Sequence, residues 1–292
     1  MSQKLVNFGD VNRKRDAFFK ILPVPFEMTT SYKSGTKKGP EKILEASTYM
    51  ELFDEEFKFE PYREGIYTYI PMDFEGLSIE EGISKIKERI FEIIDNNSFP
   101  IFIGGEHSIT FPIVDAFVEK FGRNFTVIQF DAHSDLRESY EGTIYSHASV
   151  MRRVVNLVDV VQCGIRSMCV EEYEVLGNLN SKVLFIKDYF GNREGYLKAI
   201  LENSGENIYL TIDVDALDPS VMPATGTPEP GGFSYWELLD LIEPIFREKN
   251  VIGCDVVEFM PIGNLHFCEF TIAKLIYKIM AYKLRYRKTY KI

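Results

Sequence analysis

The chain has 292 residues, of which 45% are hydrophobic, and a formal net charge of −11. This length and apolar content suffice for a sizeable core, whereas the acidic balance argues against binding nucleic acid, whose phosphate backbone needs a basic face. No apolar run approaches the ~18 residues of a membrane span, and the start lacks the charged and apolar regions of a secretory leader. We therefore expect a soluble, cytoplasmic protein with no nucleic-acid or membrane partner.

Short apolar runs alternate with amphipathic segments along the chain. Strands are predicted near 19–24, 100–103, 125–130, 158–163, 183–186, 207–213 and 251–258. Helices are predicted from Gly39, over 78–96, 110–121, near 193–203, over 234–248 and from about 268. This alternation implies parallel strands joined by right-handed crossovers. We predict a three-layer α/β/α sandwich with a mostly parallel central sheet, in one domain over 1–292, since no linker or repeat interrupts it.

Local signals refine this prediction. Ser234 and Glu237 form a capping-box pattern at a helix start. Ser78 is expected to be an N-cap without a partner glutamate three residues later. The four cysteines show no C-x-x-C spacing, and Cys163 and Cys254 are predicted to be buried thiols. His266 lies outside every motif described below and is predicted to be a structural or partly buried histidine.

The stretch from Asp131 to Asp135 offers the strongest chemical signal. Asp131, His133 and Asp135 alternate directly after an apolar run, so they share one side if the chain stays extended. Two carboxylates and an imidazole on one face are typical of a divalent-metal site. A surface turn with a strand-capping aspartate has the same short signature, so the motif needs support from elsewhere.

Two further strand ends supply that support. Asp213 and Asp215 end a second apolar strand, with Asp218 predicted as a turn residue, and His107 follows a third strand and two glycines. Open parallel sheets place their sites outside the carboxyl ends of the strands. Two histidines and four aspartates are too many for one tetrahedral zinc. Two ions sharing carboxylates fit the number, and the oxygen-rich set favours Mn(II).

These segments resemble a known family. GGEHS at 104–108, DAHSD at 131–135 and TIDVDALDPSVMPATGTPEPGG at 211–232 are similar to the signature segments of the ureohydrolases, the arginase and agmatinase superfamily. The resemblance reaches from the N-terminal region to about residue 258. It implies an arginase-like fold and hydrolysis of a guanidino compound by a hydroxide that bridges two Mn(II) ions per chain.

Carried over residue by residue, the resemblance gives a complete site. One ion would be bound by His107, Asp131, Asp135 and Asp213. The other would be bound by His133, Asp131, Asp213 and Asp215, so that Asp131 and Asp213 bridge. Asp135 would also accept a hydrogen bond from the hydroxide and orient it.

Two more residues acquire roles from the same resemblance. His147 matches the histidine that protonates the leaving amine, a task that suits an imidazole because its ordinary pKa lies near neutrality. Glu258 matches the carboxylate that holds the planar guanidinium; without the resemblance it would be read as an ordinary strand-end carboxylate. The catalytic set is thus His147, Asp135 and Glu258.

The resemblance implies that the substrate is a small cationic guanidino compound. Arg137 stands where arginases carry an asparagine that reads the substrate α-carboxylate, and the DLRESYEG run at 135–142 is similar to one branch of the agmatinases. We therefore predict hydrolysis of agmatine to putrescine and urea, within polyamine biosynthesis, with Glu138 or Glu141 contacting the far amine. Arg137 could instead grip a carboxylate, so aminopropylagmatine, guanidinobutyrate, arginine and formimidoylglutamate remain alternatives.

The resemblance also indicates which loops surround the site and which alternative functions should be considered. The loop at 222–232 is expected to shape the rim, and the loop at 29–39 to cover the substrate. Family members are commonly trimers or hexamers, so a homo-oligomer is expected. The alternatives from other classes are a single-zinc deacetylase of related fold and a catalytically inactive scaffold homologue. The first would need only three protein ligands, and the second is disfavoured by the intact ligand set.

Overall fold

A computed structural model describes residues 6–288 of the chain. Within them, one central sheet contains eight strands in the order β2-β1-β3-β8-β7-β4-β5-β6, and every strand pairing is parallel. The strands are β1 Phe19–Val24, β2 Ile66–Thr68, β3 Phe99–Gly104, β4 Thr126–Phe130, β5 Asp159–Ile165, β6 Ser181–Phe185, β7 Asn207–Asp213 and β8 Asn250–Val257.

Helices cover both faces of the sheet. They are α1 Gly39–Ser47, α2 Ile79–Ile93, α3 Thr110–Phe121, α4 Val150–Val154, α5 Val170–Val175, α6 Ile186–Gly191, α7 Arg193–Glu202, α8 Tyr235–Glu248 and α9 His266–Arg285. Apolar residues of α1, α7, α8 and α9 pack in one core, and those of α2, α3 and α4 in another. The predicted three-layer α/β/α architecture is confirmed.

The strands are apolar on both faces because each face meets helices. In β3, Phe99, Ile101 and Ile103 lie in the core shared with α8 and α9, whereas Phe102 lies in the core shared with α2 and α3. This follows from the period-2 alternation of side chains along a strand. Strands buried on both faces read as continuous apolar runs, and this is why the central strands were predictable.

The differences from prediction concern short elements and one helix cap. β2 has three residues, and α4, α5 and α6 have five or six, too few for a periodic pattern. The expectation for Ser78 was wrong. Its side chain accepts from the Glu81 backbone N–H while Glu81 Oε2 accepts from the Ser78 N–H, a reciprocal capping box like that of Ser234 and Glu237.

Two other expectations are settled by burial. Cys163 and Cys254 are fully buried free thiols, as predicted. His266 is not partly buried: its side chain is 78% exposed at the start of α9, where it contacts Glu269 at 3.2 Å. Among the helices of residues 6–288, none combines the length and the apolar character needed to cross a membrane.

The turn after β3 is exceptionally tight at Gly105. A Cβ atom there would lie 2.0 Å from the carbonyl oxygen of Phe26, so only glycine fits. Backbone hydrogen bonds from Gly105 to Val24 and from Glu106 to Phe26 join this turn to the segment after β1. The loop that follows Phe26 is thereby fixed beside the end of β3.

Candidate active site

The carboxyl ends of β3, β4 and β7 bring the predicted ligand residues together. Asp213 is the last residue of β7, Asp131 directly follows β4, and His107 lies just beyond β3 in a short 3₁₀ turn. In the sheet, β7 lies between β8 and β4, and β3 pairs with the other side of β8. The residues therefore converge at the carboxyl edge near the middle of the sheet, where parallel α/β sheets place their sites.

The first group surrounds His107. Its Nδ1 atom lies 3.0 Å from Asp131 Oδ2, 3.3 Å from Asp135 Oδ2 and 3.3 Å from Asp213 Oδ2. The ring is 1% exposed, and Nδ1 is a buried polar atom without a hydrogen-bond partner. A buried polar atom left unsatisfied costs free energy. Its position facing three carboxylate oxygens is what a metal ligand requires.

The opposite side of the His107 ring supports the same interpretation. His107 Nε2 lies 2.9 Å from Thr211 Oγ1, and the Thr211 hydroxyl donates to the buried Asp255 carboxylate. Since that hydroxyl proton is given to Asp255, Thr211 can only accept from His107 Nε2–H. The neutral imidazole then presents the Nδ1 lone pair to the carboxylates. Such outer partners commonly set the orientation of metal-binding histidines.

The second group surrounds His133. Its Nδ1 atom lies 2.9 Å from Asp215 Oδ2 and 3.7 Å from Asp131 Oδ1. Asp131 thus turns one oxygen to each histidine and belongs to both groups. Backbone N–H groups hold the carboxylates: Asp131 accepts from His133, and Asp215 accepts from Ala132 at 3.0 Å.

Asp213 lies closer to one group than to the other. Its Oδ2 atom faces His107, whereas its Oδ1 atom accepts from the Asp215 backbone N–H at 2.8 Å. The structure therefore brings Asp213 to the His107 group. Its second contact, as a bridge to the His133 group, stays a prediction.

The electrostatics of these groups favour bound cations. Burial, together with Asp131, raises the pKa of Asp135 to about 7 and raises that of Asp215. Burial also raises the pKa of Asp213 well above its ordinary range, with Asp215 and Asp131 adding to the effect. Four buried carboxylates repel one another, and two divalent ions would neutralise their four charges. The donor set, carboxylate oxygens with two imidazoles, fits Mn(II).

The two histidines respond in the opposite direction. Burial lowers their pKa values, but this is outweighed by the adjacent carboxylates. Asp215 and Asp131 raise the pKa of His133 to about 12, and Asp131, Asp135 and Asp213 raise that of His107 well above its ordinary value. Without a cation, both histidines would thus be protonated and would face the carboxylates as imidazolium ions. A metal ion would replace those protons, because metal ligands must be deprotonated.

His147 and Glu258 face the same cavity. His147 opens a 3₁₀ turn that is capped by the Ser146 hydroxyl, and burial lowers its pKa to about 4. Glu258 is 9% exposed, and its Oε1 atom accepts from the His107 backbone N–H at 2.6 Å. Burial, with Glu106 nearby, raises the pKa of Glu258 to about 8.

The cavity is lined by the predicted catalytic residues and by further polar and apolar residues. Its lining comprises Ser31, His107, His133, Asp135, Arg137, Tyr140, His147, Ala148, Ser167, Met168, Cys169, Glu172, Asp213, Asp215, Thr227 and Glu258. Thr227 belongs to the loop at 222–232, and Ser31 to the loop at 29–39. Both loops therefore border the cavity, although movement of the second one stays a prediction.

The predicted contacts of the far amine are not at this cavity. Glu138 is exposed, and Arg152 and Arg153 each contact its carboxylate at 2.8 Å; neither it nor Glu141 lines the wall. The acidic residue at the rim is Glu172, which is 4% exposed.

Arg137 has partners within the protein. Its guanidinium lies over the Tyr140 ring, 5.1 Å from the centroid, and its Nε atom is 4.0 Å from Glu172 Oε2. The positive charge of Arg137 is therefore partly balanced without a substrate carboxylate.

Arg166 joins the rim to the ligand segment. Its guanidinium donates to the carbonyl oxygens of Asp215 at 2.6 Å, Glu229 at 2.8 Å and Pro230 at 3.1 Å. The Glu229 side chain approaches the outer nitrogen of His133, at 3.8 Å from Nε2. Arg166, Glu229, Glu172 and Thr211 were not predicted from the sequence motifs. Their contacts at the site join residues far apart in sequence, although Glu172 also accepts from the nearby Cys169 backbone N–H at 2.8 Å.

Comparisons with known proteins give a consistent result. The model of the Arginase family matches residues 17–282. An N(1)-aminopropylagmatine ureohydrolase of Synechocystis sp. is 38% identical over 91% of this chain and 89% of its own, and an agmatinase of Pyrococcus horikoshii is 34% identical over 93% and 94%. The crystal structure of the agmatine ureohydrolase of Thermoplasma volcanium superposes with a TM-score of 0.88 at 28% identity, covering 99% of this chain and 98% of that one.

Proposed function

Since the chain belongs to the arginase family and is a binuclear metal amidinohydrolase, we propose that it hydrolyses the guanidino group of a decarboxylated arginine derivative. The two candidates are agmatine, which would give putrescine and urea, and agmatine with an N(1)-aminopropyl substituent. A relative named N(1)-aminopropylagmatine ureohydrolase matches 91% of this chain, and a relative named agmatinase matches 93%. The observation that carries the proposal is the His107 Nδ1 atom, which is buried without a hydrogen-bond partner among three carboxylates.

We propose two Mn(II) ions as the cofactor. One would be held by His107, Asp131, Asp135 and Asp213, and the other by His133, Asp131, Asp213 and Asp215. When bound, the ions would supply Lewis acidity and a water nucleophile that is active near neutral pH.

The remaining steps belong to side chains of this chain. Glu258 would hold the guanidinium through a charge-assisted contact, since its carboxylate faces the cavity beside His107. Asp135 would orient the nucleophile. His147, on the cavity wall, would hold and deliver a proton to the leaving amine, which otherwise leaves as a strongly basic anion.

The rim supports a substrate without an α-carboxylate. Arg137 is already engaged by Tyr140 and Glu172, so it does not need a substrate carboxylate as its counter-ion. Because Glu172 balances Arg137, the described lining of the cavity offers no unpaired Arg or Lys side chain that would bind a substrate carboxylate. Arginine and guanidinobutyrate both carry a carboxylate at this end, so we place them behind agmatine.

The test is urea release after loading with Mn(II). Agmatine, N(1)-aminopropylagmatine, arginine and guanidinobutyrate are offered in parallel at equal concentration, with metal content measured on the same sample. We expect two ions per chain and urea from agmatine or its aminopropyl derivative. The compound with the higher kcat/KM is then taken as the substrate. Urea mainly from arginine, or binding of one ion per chain, would contradict the proposal.

A further inference from the structure

The Thr29 side chain lies against both the backbone and the ring of His147. The His147 backbone N–H donates to Thr29 Oγ1 at 3.1 Å, and the ring atom Nδ1 lies 3.4 Å from the same oxygen. Thr29 is 7% exposed, in the loop between β1 and α1. Residues that are 118 positions apart in sequence thus meet at the proposed proton donor.

A buried carboxylate fixes Thr29 from behind. Glu106 is fully buried, and its Oε2 atom accepts from the backbone N–H groups of Thr29 at 2.8 Å and Met28 at 3.2 Å. Its Oε1 atom accepts from the hydroxyls of Thr29 at 2.9 Å and Ser108 at 2.6 Å. Four hydrogen bonds on one carboxylate hold the loop and set the direction of the Thr29 hydroxyl.

The single proton of the Thr29 hydroxyl determines which hydrogen bond Thr29 can make to the His147 imidazole. A hydroxyl has one proton and two lone pairs. The Thr29 proton is donated to Glu106, so towards His147 the oxygen can act only as an acceptor. A neutral ring with a lone pair at Nδ1 would place two lone pairs against each other at 3.4 Å. The ring with a proton at Nδ1 has an acceptor there. Ser146 Oγ, also 3.4 Å from Nδ1, can donate or accept and therefore suits either tautomer, so Thr29 decides between them.

We propose that Thr29 is a positioning residue that fixes the Nδ1-protonated tautomer of His147, and that Glu106 fixes Thr29. The other ring atom, Nε2, then presents its lone pair towards Ser31 Oγ, which lies 3.4 Å away and lines the cavity. In this tautomer a proton is taken up and released at Nε2, on the cavity side. The catalytic meaning of this tautomer rests on the proposed function, whereas the tautomer itself does not.

The first experiment reads the tautomer directly. Nitrogen-15 NMR of histidine-labelled full-length protein, before and after loading with diamagnetic Zn(II), distinguishes protonated from unprotonated ring nitrogens. The chain has four histidines, and the missing signals of a His147→Asn sample assign His147. We expect Nδ1–H in the wild type and in Thr29→Ser, and a shift towards Nε2–H in Thr29→Val. An Nε2–H tautomer in the wild type would overturn the proposal whatever the variants do.

The second experiment measures turnover of the Mn(II)-loaded enzyme with agmatine. Thr29→Val should lower kcat by about 10- to 100-fold, the scale on which misplaced catalytic groups act, with little change in KM. Thr29→Ser should restore most of the rate. Thr271→Val, on α9, is the control, since its hydroxyl donates to the backbone carbonyl of Phe267 and α9 supplies no residue of the cavity lining. Equal loss in Thr29→Ser and Thr29→Val would refute the role of the hydroxyl. Absence of wild-type turnover would count against the substrate, and the NMR result would still decide the tautomer.

Discussion

Asp135 and Glu258 adopt the left-handed backbone conformation, with φ of 54° and 63°. This region costs a residue other than glycine of the order of 1–3 kcal/mol, and it persists only where the surroundings enforce it. Neighbouring contacts hold the backbone in this conformation at both residues. Ser134 and Leu136, on either side of Asp135, donate to Glu172 Oε1 at 2.8 Å. The Glu258 carboxylate accepts from the His107 backbone N–H at 2.6 Å. Strain at both proposed catalytic carboxylates is consistent with selection for their position.

Glu258→Gln tests the proposed guanidinium contact. The amide oxygen can still accept from the His107 N–H, so the local geometry should survive, while the side chain can no longer become negatively charged. A hydrogen bond to a charged group contributes about 1.5–3 kcal/mol, so kcat/KM should fall by about 10- to 150-fold, mainly through KM. Steady-state kinetics with urea detection would measure this. Glu248→Gln, at the exposed end of α8, should leave the kinetics unchanged. An unchanged KM in Glu258→Gln would rule out the contact.

His147→Asn and Asp213→Ala should separate proton delivery from metal binding. The first removes a general acid, so kcat should fall by about 10²- to 10⁴-fold while both ions are retained. The second removes a carboxylate that faces His107 at 3.3 Å, so metal should be lost together with activity. Metal analysis of dialysed protein alongside urea release distinguishes the two. Unchanged turnover in either variant would refute the role of that residue.

At the scale of elements, the convergence of the proposed ligands was predictable because each lies at or just beyond the end of a strand. Asp131 and His133 follow an apolar run, and Asp213 ends another, so motif and strand appear together in the sequence. The supporting contacts were not predictable in this way. Thr211 meets Asp255 across 44 residues, and Thr29 meets Glu106 across 77. Only the three-dimensional packing of neighbouring strands and loops brings these partners together.

The rim loop and the end of β7 are expected to act as one unit through Arg166. Arg166→Lys keeps the charge but cannot reproduce the fork that reaches the carbonyls of Asp215 and Glu229. Since changes in outer contacts typically weaken metal binding by 10- to 100-fold, we expect about a tenfold weaker affinity for one ion. Competition with a metal chelator would measure it. Arg193→Lys, on exposed α7, is the control, and equal affinities in the two variants would contradict the prediction.

At the scale of the whole molecule, the fold class followed from alternation alone, whereas the strand order did not. Predicted strands and helices were correctly arranged as a parallel sheet with helices on both faces, because buried parallel strands give uniform apolar runs. Nothing local indicates that β8 inserts between β3 and β7. We propose that the chain is one domain, since α9 returns to pack on α1 near the other end of the chain, and Lys278 on α9 contacts Asp54 at 2.9 Å.

Stability of the metal-free protein should fall between pH 6.5 and 8.5. Burial raises the pKa of Asp135 to about 7 and that of Glu258 to about 8. The folded chain thus keeps protons that the unfolded chain has already released, and stability falls as pH rises. His133, with its pKa raised to about 12, acts in the same direction above 6.5, the ordinary value for histidine. His147, whose pKa is lowered to about 4, acts in the opposite direction, but only up to about pH 7.5, where the unfolded chain's imidazole has lost its proton as well.

Bound Mn(II) should reverse this trend, because the ions displace the same protons and bind more tightly as pH rises. At about 100 times its Kd, each ion adds about 2.7 kcal/mol to the free energy of unfolding. The gap between the melting temperatures of loaded and chelator-treated protein should therefore widen from pH 6.5 to 8.5. Thermal unfolding at three pH values with constant free Mn(II) measures it. A gap that narrows with pH, or a metal-free protein that becomes more stable, would mean that the buried carboxylates are not protonated in the metal-free fold.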